Sequence, residues 1–378
     1  MSRTPLYPVG RPRLPDAAAL TPYLREIDAN RYYSNYGPLV QRFQERLTAA
    51  TRFVGDDAGV VVTCANATLG LAAALIAHGV RTGDLCVMPA WTFVASPLAA
   101  RLAGMTPYFG DVDEADWTLT PAAAERAVAA APGRVGAVMV VAPFGRPVEA
   151  APWDDFAKAT GLPVVIDAAA GFDTVEAGKA AVVVSLHATK VFGIGEGAFI
   201  ASTDRALIGA IARTCNFGFL GSRETRVPAF NAKMSEYHAA VGLAALERWP
   251  ETRGDFQRVA AAYRRHLADL AVTPIDGLGQ RWVAATCVVR FADATAAEIA
   301  AGLAAAGIET RSWWNRGCHR EALFIDAPRT DLPVTEALAR STLGLPCYGD
   351  LADSDIAAIC AAIGRVLSAD DRRLRAGR

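Results

Sequence analysis

The chain has 378 residues, long enough for two domains around a sizeable core. Hydrophobic residues make up 52% of it, which excludes a wholly disordered protein. The net charge of −1, with acids and bases interspersed, leaves no basic footprint for nucleic acid or an anionic membrane surface.

The seven cysteines are scattered, odd in number and form no CxxC, and the five histidines have no ligand spacing. That pattern points to a reducing compartment and away from a zinc site. The opening MSRTPLYPVGRPRLP has no apolar segment of the signal-peptide kind, and no uncharged apolar run reaches membrane-spanning length. The expectation is a cytoplasmic protein without a membrane partner.

In chain order, residues 1–30 are proline-rich, with a short helix expected from Asp16 to Ile27. A turn at Asn35 to Pro38 leads into an amphipathic helix carrying Leu39, Val40, Phe43, Leu47 and Phe53. Strands are expected at Val60–Thr63, Leu85–Met88, Thr106–Phe109, Ala137–Val141, Val164–Ile166, Val182–Ser185 and Ala198–Ala201. Helices at 67–78, 95–103, 120–131 and 152–160 lie between several of them. This βα rhythm with all-apolar strands predicts an α/β fold whose mostly parallel seven-stranded sheet is covered on both faces.

After Asp204 the chain turns helical. An amphipathic stretch at 235–249 is broken by Pro250, and a second helix follows at 251–270. The run 282–291 reads as a strand, with helices at 295–306 and 353–367. These patterns divide the chain into a large domain, 1–250, and a smaller α+β domain, 251–378, whose charged tail 369–378 frays.

The chemistry concentrates in 181-AAVVVSLHATKVFGIGEGAFIA-201. Lys190 follows a buried strand and precedes a loop with Gly193, Gly195 and Gly197. Desolvation lowers a lysine's pKa and makes it a nucleophile toward carbonyls, the chemistry of a Schiff base with pyridoxal phosphate. A lone lysine is more often a solvated one, so the reading rests on partners elsewhere.

Asp167 ends the strand in 163-PVVIDAAAG-171, where open α/β sheets bind ligands. A protonated pyridine nitrogen would keep it ionised and make the ring an electron sink; a turn or helix-cap aspartate is the plainer reading. Asn66, Ala67 and Thr68 open a helix after a strand, offering free N–H groups and a hydroxyl to a phosphate; simple capping is the alternative. Trp91 and Phe93 follow another strand end, and one of them would stack on a planar cofactor. Core packing is the alternative for both. Ser185 would add a further ligand to such a phosphate. Asn231 lies in a polar loop and would donate to a phosphate in the same chain or across a dimer interface.

With these motifs in hand, the sequence resembles the DegT/DnrJ/EryC1/StrS group of sugar aminotransferases, of the fold-type I architecture, from about Tyr33 to Ile363. The likeness is carried by 34-SNYGPLVQRFQERL-47, 65-ANATLGLAAAL-75, 89-PAWTFVAS-96, 166-IDAAAGF-172, 185-SLHATKVFGIGEGA-198, 231-NAKMSEYHAAVGLAALE-247, 308-IETRSWW-314 and 344-GLPCY-348.

The resemblance implies pyridoxal phosphate as cofactor, with Lys190 as the Schiff-base lysine and Asp167 on the ring nitrogen. It places Ala67, Thr68 and Ser185 on the phosphate, and Phe93, with Trp91 as alternative, on the ring face. It implies that Asn231 reaches the neighbouring subunit's cofactor, hence a homodimer with shared sites. Where the family has Gln or His this chain has Ala170, which makes His187 the candidate for the ring hydroxyl. Lys233 stands where Arg is usual, and Ala198 where a glycine follows GEG. Lys190 itself argues against the dehydratase branch, which carries His there.

The implied reaction is transamination of a nucleotide-linked 4-keto-6-deoxy sugar with glutamate as donor, in deoxysugar supply such as that for lipopolysaccharide O-antigen. Action at C3, or a non-catalytic regulator on the same fold, are the alternatives. Tyr33, Asn35, Tyr36 and Trp314 are candidates to line the sugar-nucleotide pocket; Trp313 and Trp314 otherwise read as small-domain core. A nicotinamide enzyme is disfavoured because 193-GIGEG-197 is not GxGxxG and is not followed by a clear helix. No metal site is expected.

Overall fold

The computed structural model describes residues 6–54, 58–219, 221–292 and 295–376. The expected end of the last helix at 367 needs correction: helix Asp353–Ala376 runs on into the expected tail 369–378, whose last two residues lie outside that description.

Seven strands form the main sheet: β1 Val60–Cys64, β2 Leu85–Pro89, β3 Thr106–Gly110, β4 Val135–Val141, β5 Val164–Asp167, β6 Ala181–Ser185 and β7 Ala198–Ser202. Their order is β1-β7-β6-β5-β4-β2-β3. The strands from β6 through β3 are parallel, and β7 runs against both β6 and β1. Successive side chains point to opposite faces, so each strand feeds two cores. Val138 and Val140 pack beneath helices Pro38–Ala50, Pro121–Ala129, Ala151–Thr160 and Glu236–Glu247. Ala137 and Met139 pack beneath Ala67–Ala77, Ala95–Leu102 and Arg205–Thr214. Burial on both faces is why these strands read as continuous apolar runs.

A second, antiparallel sheet has β8 Val272–Pro274, β9 Cys287–Phe291 and β10 Thr342–Leu345 in that order. Helices Trp249–Leu267, Ala296–Ala305 and Asp353–Ala376 share its core, and Trp91, Val112, Trp117 and Phe144 reach into it from the main sheet's loops. Phe53, expected on the helix that carries Leu39, lies beyond it: that helix ends at Ala50, and Arg52–Phe53 pairs parallel with Glu176–Ala177 as a short strand. Two further expectations need correction. Only Cys287–Phe291 of the 282–291 run joins a ladder. Trp282 to Ala284 are buried, but the Trp282 backbone turns back onto Gly277 and Gly279 and the Val283 N–H donates to the Asp173 carboxylate, so they join no ladder. Pro250 opens the next helix within its first turn, where its missing N–H costs nothing, and the preceding helix has already ended at Glu247.

Carboxylates from the main sheet's loops hold the smaller sheet's elements. Asp111, just past β3, accepts from the Val334 and Thr335 N–H groups at 2.8 Å each and caps helix Pro333–Ser341. Asp173 takes Arg253 Nε at 2.6 Å and the Val283 N–H at 3.0 Å. The N-terminal segment crosses between the two parts. Leu6 and Tyr7 donate to the Gly307 carbonyl, Glu309 donates to Tyr7, and Cys347 donates to Val9. Helix Ala17–Asn30 then lies against Glu236–Glu247, with the Tyr23 hydroxyl donating to Glu247.

Candidate active site

The carboxyl ends of β4, β5 and β6 open onto a cavity of about 710 Å³. β5 delivers Asp167 to its floor, 5% exposed. The Asp167 Oδ2 accepts from Ser96 Oγ at 2.7 Å and its Oδ1 from the Ala169 N–H at 3.1 Å. Thr92 Oγ1 is 2.7 Å from Ser96 Oγ, so a hydroxyl pair runs under the carboxylate. Burial nonetheless pushes the Asp167 carboxyl above its ordinary range, against the pull of Ser96, Ala169 and Lys190. An isolated buried carboxylate in that condition calls for a cation.

β6 leads to Ser185, then a tight loop that presents Lys190. The Lys190 N–H donates to the His187 carbonyl at 2.8 Å, and Ala188 and Leu186 donate to Gly195 and Gly197. Two glycines make this loop possible. A Cβ on Gly193 would lie 2.7 Å from the Ala188 carbonyl oxygen, and Gly195 has φ +102°, a backbone region that L side chains rarely adopt. Burial lowers the Lys190 pKa below the ordinary lysine value, and Asp167 is the charge that opposes this. The amine and the carboxylate therefore act on one another across one cavity.

The third wall is the N-terminus of helix Ala67–Ala77. Asn66 caps it, accepting from the Leu69 N–H at 2.9 Å. The first N–H groups of a helix have no intrahelical acceptor, and Ala67 and Thr68 line the cavity. Capping and anion binding are thus both available here, served by different residues. Ser185, 6% exposed, also lines the cavity, and its Oγ accepts from the His187 N–H at 3.2 Å.

Phe93, 56% exposed, faces the cavity, whereas Trp91 is buried against Phe144 and Trp314. Between the two aromatics, Phe93 is the one with a free face. Trp314 stacks on Phe144 with centroids 3.9 Å apart and also lines the cavity, so it packs and lines at once. His187 lines it too, with Nδ1 2.8 Å from Thr189 Oγ1 and Nε2 3.6 Å from Glu196 Oε1.

Four anticipated residues lie outside this cavity. Asn231 is exposed and accepts from Lys233 Nζ at 2.7 Å. Tyr33 and Asn35 are exposed, and Tyr36 is half-buried beneath the turn. Sequence reasoning passed over Ser96, Thr92 and Glu196. Ser96 stood inside the quoted 89-PAWTFVAS-96 segment, one helical turn after Thr92, but only the aromatics there carried weight.

These residues suit pyridoxal phosphate. The buried acid lacks a full cationic partner, an amine of lowered pKa faces it, a helix N-terminus waits for an anion, and Phe93 offers an uncovered ring. A model of the DegT/DnrJ/EryC1/StrS aminotransferase family matches residues 16–364. The chain belongs to that family. Its cofactor is pyridoxal phosphate and it is an aminotransferase.

The chain is 30% identical to a putative PLP-dependent aminotransferase from Bacillus cereus, with a TM-score of 0.86, 95% of this chain and 99% of that one covered. The structure of DesI in the presence of its TDP-sugar product is 32% identical, with a TM-score of 0.83 over 98% of this chain and 96% of that one. A curated relative from Shigella dysenteriae, dTDP-4-amino-4,6-dideoxy-D-glucose transaminase, is 30% identical over 69% of this chain and 70% of its own length. Another, UDP-2-acetamido-2-deoxy-3-oxo-D-glucuronate aminotransferase from Pseudomonas aeruginosa, is 29% identical over 86% of this chain and 90% of its own length. The neighbours bear out the α/β architecture of a PLP-dependent aminotransferase, with a mostly parallel main sheet and a small antiparallel one. No helix among the described residues is long and apolar enough to cross a membrane.

Proposed function

We propose that this enzyme moves an amino group from glutamate to C4 of a nucleotide-linked 4-keto-6-deoxy sugar, giving a 4-amino-4,6-dideoxy sugar nucleotide. The observation that carries the reading is the pairing of a buried Asp167 with Lys190 across one cavity, beside a free helix N-terminus. Bound there, pyridoxal phosphate supplies an aldehyde for amines and a ring that accepts an electron pair.

Lys190 Nζ would hold the cofactor's aldehyde carbon and would serve as the base for the α-proton of the amino donor. Its lowered pKa leaves a larger neutral fraction for both tasks. Asp167 holds the proton on the ring nitrogen, and Ser96 and Ala169 orient that carboxylate. The Ala67 and Thr68 N–H groups, the Thr68 hydroxyl and Ser185 would hold the phosphate, Phe93 would cover one ring face, and His187 would bond the ring hydroxyl. Trp314 lines the substrate side. Tyr33, Asn35 and Tyr36 complete the sugar-nucleotide site, and Asn231 reaches the cofactor phosphate of the partner in a homodimer. Residues 1–250 form the cofactor-binding domain and 251–378 the smaller one.

The C4 assignment draws on the likeness to the Shigella 4-amino sugar transaminase, and the nucleotide-sugar class also on the likeness to DesI with its TDP-sugar product. The test is a panel of 4-keto and 3-keto sugar nucleotides with glutamate, followed by mass spectrometry of the products. Amination of 3-keto sugars alone would move the enzyme to the chemistry of its Pseudomonas relative. The Lys190→Ala variant should lose the visible or near-ultraviolet band of lysine-bound cofactor and at least the 10²- to 10⁴-fold that a positioned base contributes, at order-of-magnitude level. Persistence of the band would refute the assignment.

A further inference from the structure

The turn Tyr33–Tyr36 and the segment Asn231–Ser235 hold the anticipated residues that lie outside the cofactor cavity, and one buried side chain joins them. Glu236 is 1% exposed. Its Oε2 accepts from the Leu39 N–H at 2.8 Å and its Oε1 from the Val40 N–H at 2.9 Å, while its own N–H donates to the Tyr33 carbonyl at 3.1 Å. We propose that Glu236 is a positioning residue that fixes the Tyr33–Tyr36 turn against the 231–235 segment and thereby sets the affinity for the nucleotide sugar. The inference rests on the substrate role given to that turn above.

Three features separate this from ordinary capping. Helix Pro38–Ala50 has Gly37 at its cap position, with no side chain to do the work, and the cap comes from 197 residues away in sequence. A local Ser, Asp or Asn would satisfy the same N–H groups more simply. Gly37 has no spare room: a Cβ there would lie 2.3 Å from the Tyr32 ring and 2.7 Å from the Glu236 carboxyl carbon.

The turn itself is held in a costly conformation. Asn35 and Tyr36 both have positive φ, +63° and +58°, and two consecutive non-glycine residues stay there only when the surroundings impose it. The constraints are visible. Tyr32 Oη donates to the Asn35 carbonyl, Gln41 Nε2 donates to the Tyr36 carbonyl at 2.8 Å, and the Tyr33 ring stacks on Tyr237 with centroids 6.3 Å apart. On its other side the 231–236 segment is bonded toward the cofactor. The Ala65 N–H donates to the Ala232 carbonyl at 2.7 Å, two residues before the phosphate-binding helix begins. Glu236 thus registers the turn to the helix that holds the cofactor.

The test is Glu236→Gln, which turns one accepting oxygen into an NH₂ facing a backbone N–H. KM for the keto sugar nucleotide should rise about tenfold or more, with kcat within about twofold, the signature of lost substrate binding rather than lost chemistry. The glutamate half-reaction, followed alone by its absorbance change, should be unaltered. In the substrate-free protein, amide exchange at Leu39 and Val40 should quicken.

Faster exchange with unchanged KM would reduce Glu236 to a structural cap and overturn the proposal. Asn35→Ala separates the two layers. If it raises KM and Glu236→Gln does not, only the positioning role falls; if neither raises KM, the turn's substrate role falls with it. Should Glu236→Gln fail to fold, Glu236→Asp withdraws the carboxylate from the Leu39 and Val40 N–H groups without removing its charge and is read the same way.

Discussion

Asp167 and Glu236 are both buried carboxylates, one ending a main-sheet strand and the other opening a helix, and they are buried for opposite reasons. Glu236 meets two backbone N–H groups with its two oxygens, so its charge is spent on the fold. Asp167 has one hydroxyl and one N–H, and its remaining capacity faces a cavity. A buried acid whose bonds are complete holds structure, and one left with an unmet charge waits for a ligand.

Replacement separates the two most sharply. Asp167→Asn should bind some cofactor but lower turnover by about 10²- to 10³-fold, the scale of one lost preorganised electrostatic partner. Unchanged turnover would remove Asp167 from the mechanism. Glu236→Ala should instead cost stability, about 1–3 kcal/mol for each N–H left unsatisfied in a buried setting, read by chemical denaturation. A denaturation midpoint equal to that of the parent would show that water replaces the carboxylate.

The pH dependence of the cofactor-free protein sharpens the contrast further. The folded-state pKa of Asp167 is raised above its unfolded value. The folded protein therefore keeps a proton that the unfolded chain has already released, and stability falls as pH rises through that window. Asp167→Asn should abolish this slope and leave the cofactor-free protein more stable than the parent above the window. Urea titrations at a series of pH values would show it; an identical slope in the variant would assign the proton elsewhere. The smallest effect belongs to Ser96→Ala. Losing that hydrogen bond should raise the Asp167 pKa further and move the acidic limb of the pH–rate profile upward, with the profile's height little changed.

The two acids also differ in how far the sequence revealed them. All seven main-sheet strands were legible, because burial on both faces leaves unbroken runs such as Val138–Val141 and Val182–Val184. The cavity was legible for the same reason, since its residues sit at the ends of those runs. Glu236 was not, because its partners Leu39 and Val40 lie far away in the chain and a glutamate at a helix start usually reads as a solvated residue. The 282–291 run failed differently. Burial makes Trp282 to Ala284 look like strand, but their polar groups are met by Asp276 and Asp173, and hydrophobicity alone cannot distinguish a ladder from a well-satisfied loop.

The leading segment of the chain carries a practical lesson for anyone handling the protein. Residues 6–9 bond to Gly307, Glu309 and Cys347 beside the smaller sheet, and helix Ala17–Asn30 lies against helix Glu236–Glu247, so residues 10–15 run past the reactive lysine, lining a second recess of about 190 Å³ that Lys190 also touches. Removing residues 6–15 would strip the bonds to Gly307, Glu309 and Cys347 and open that recess beside the amine.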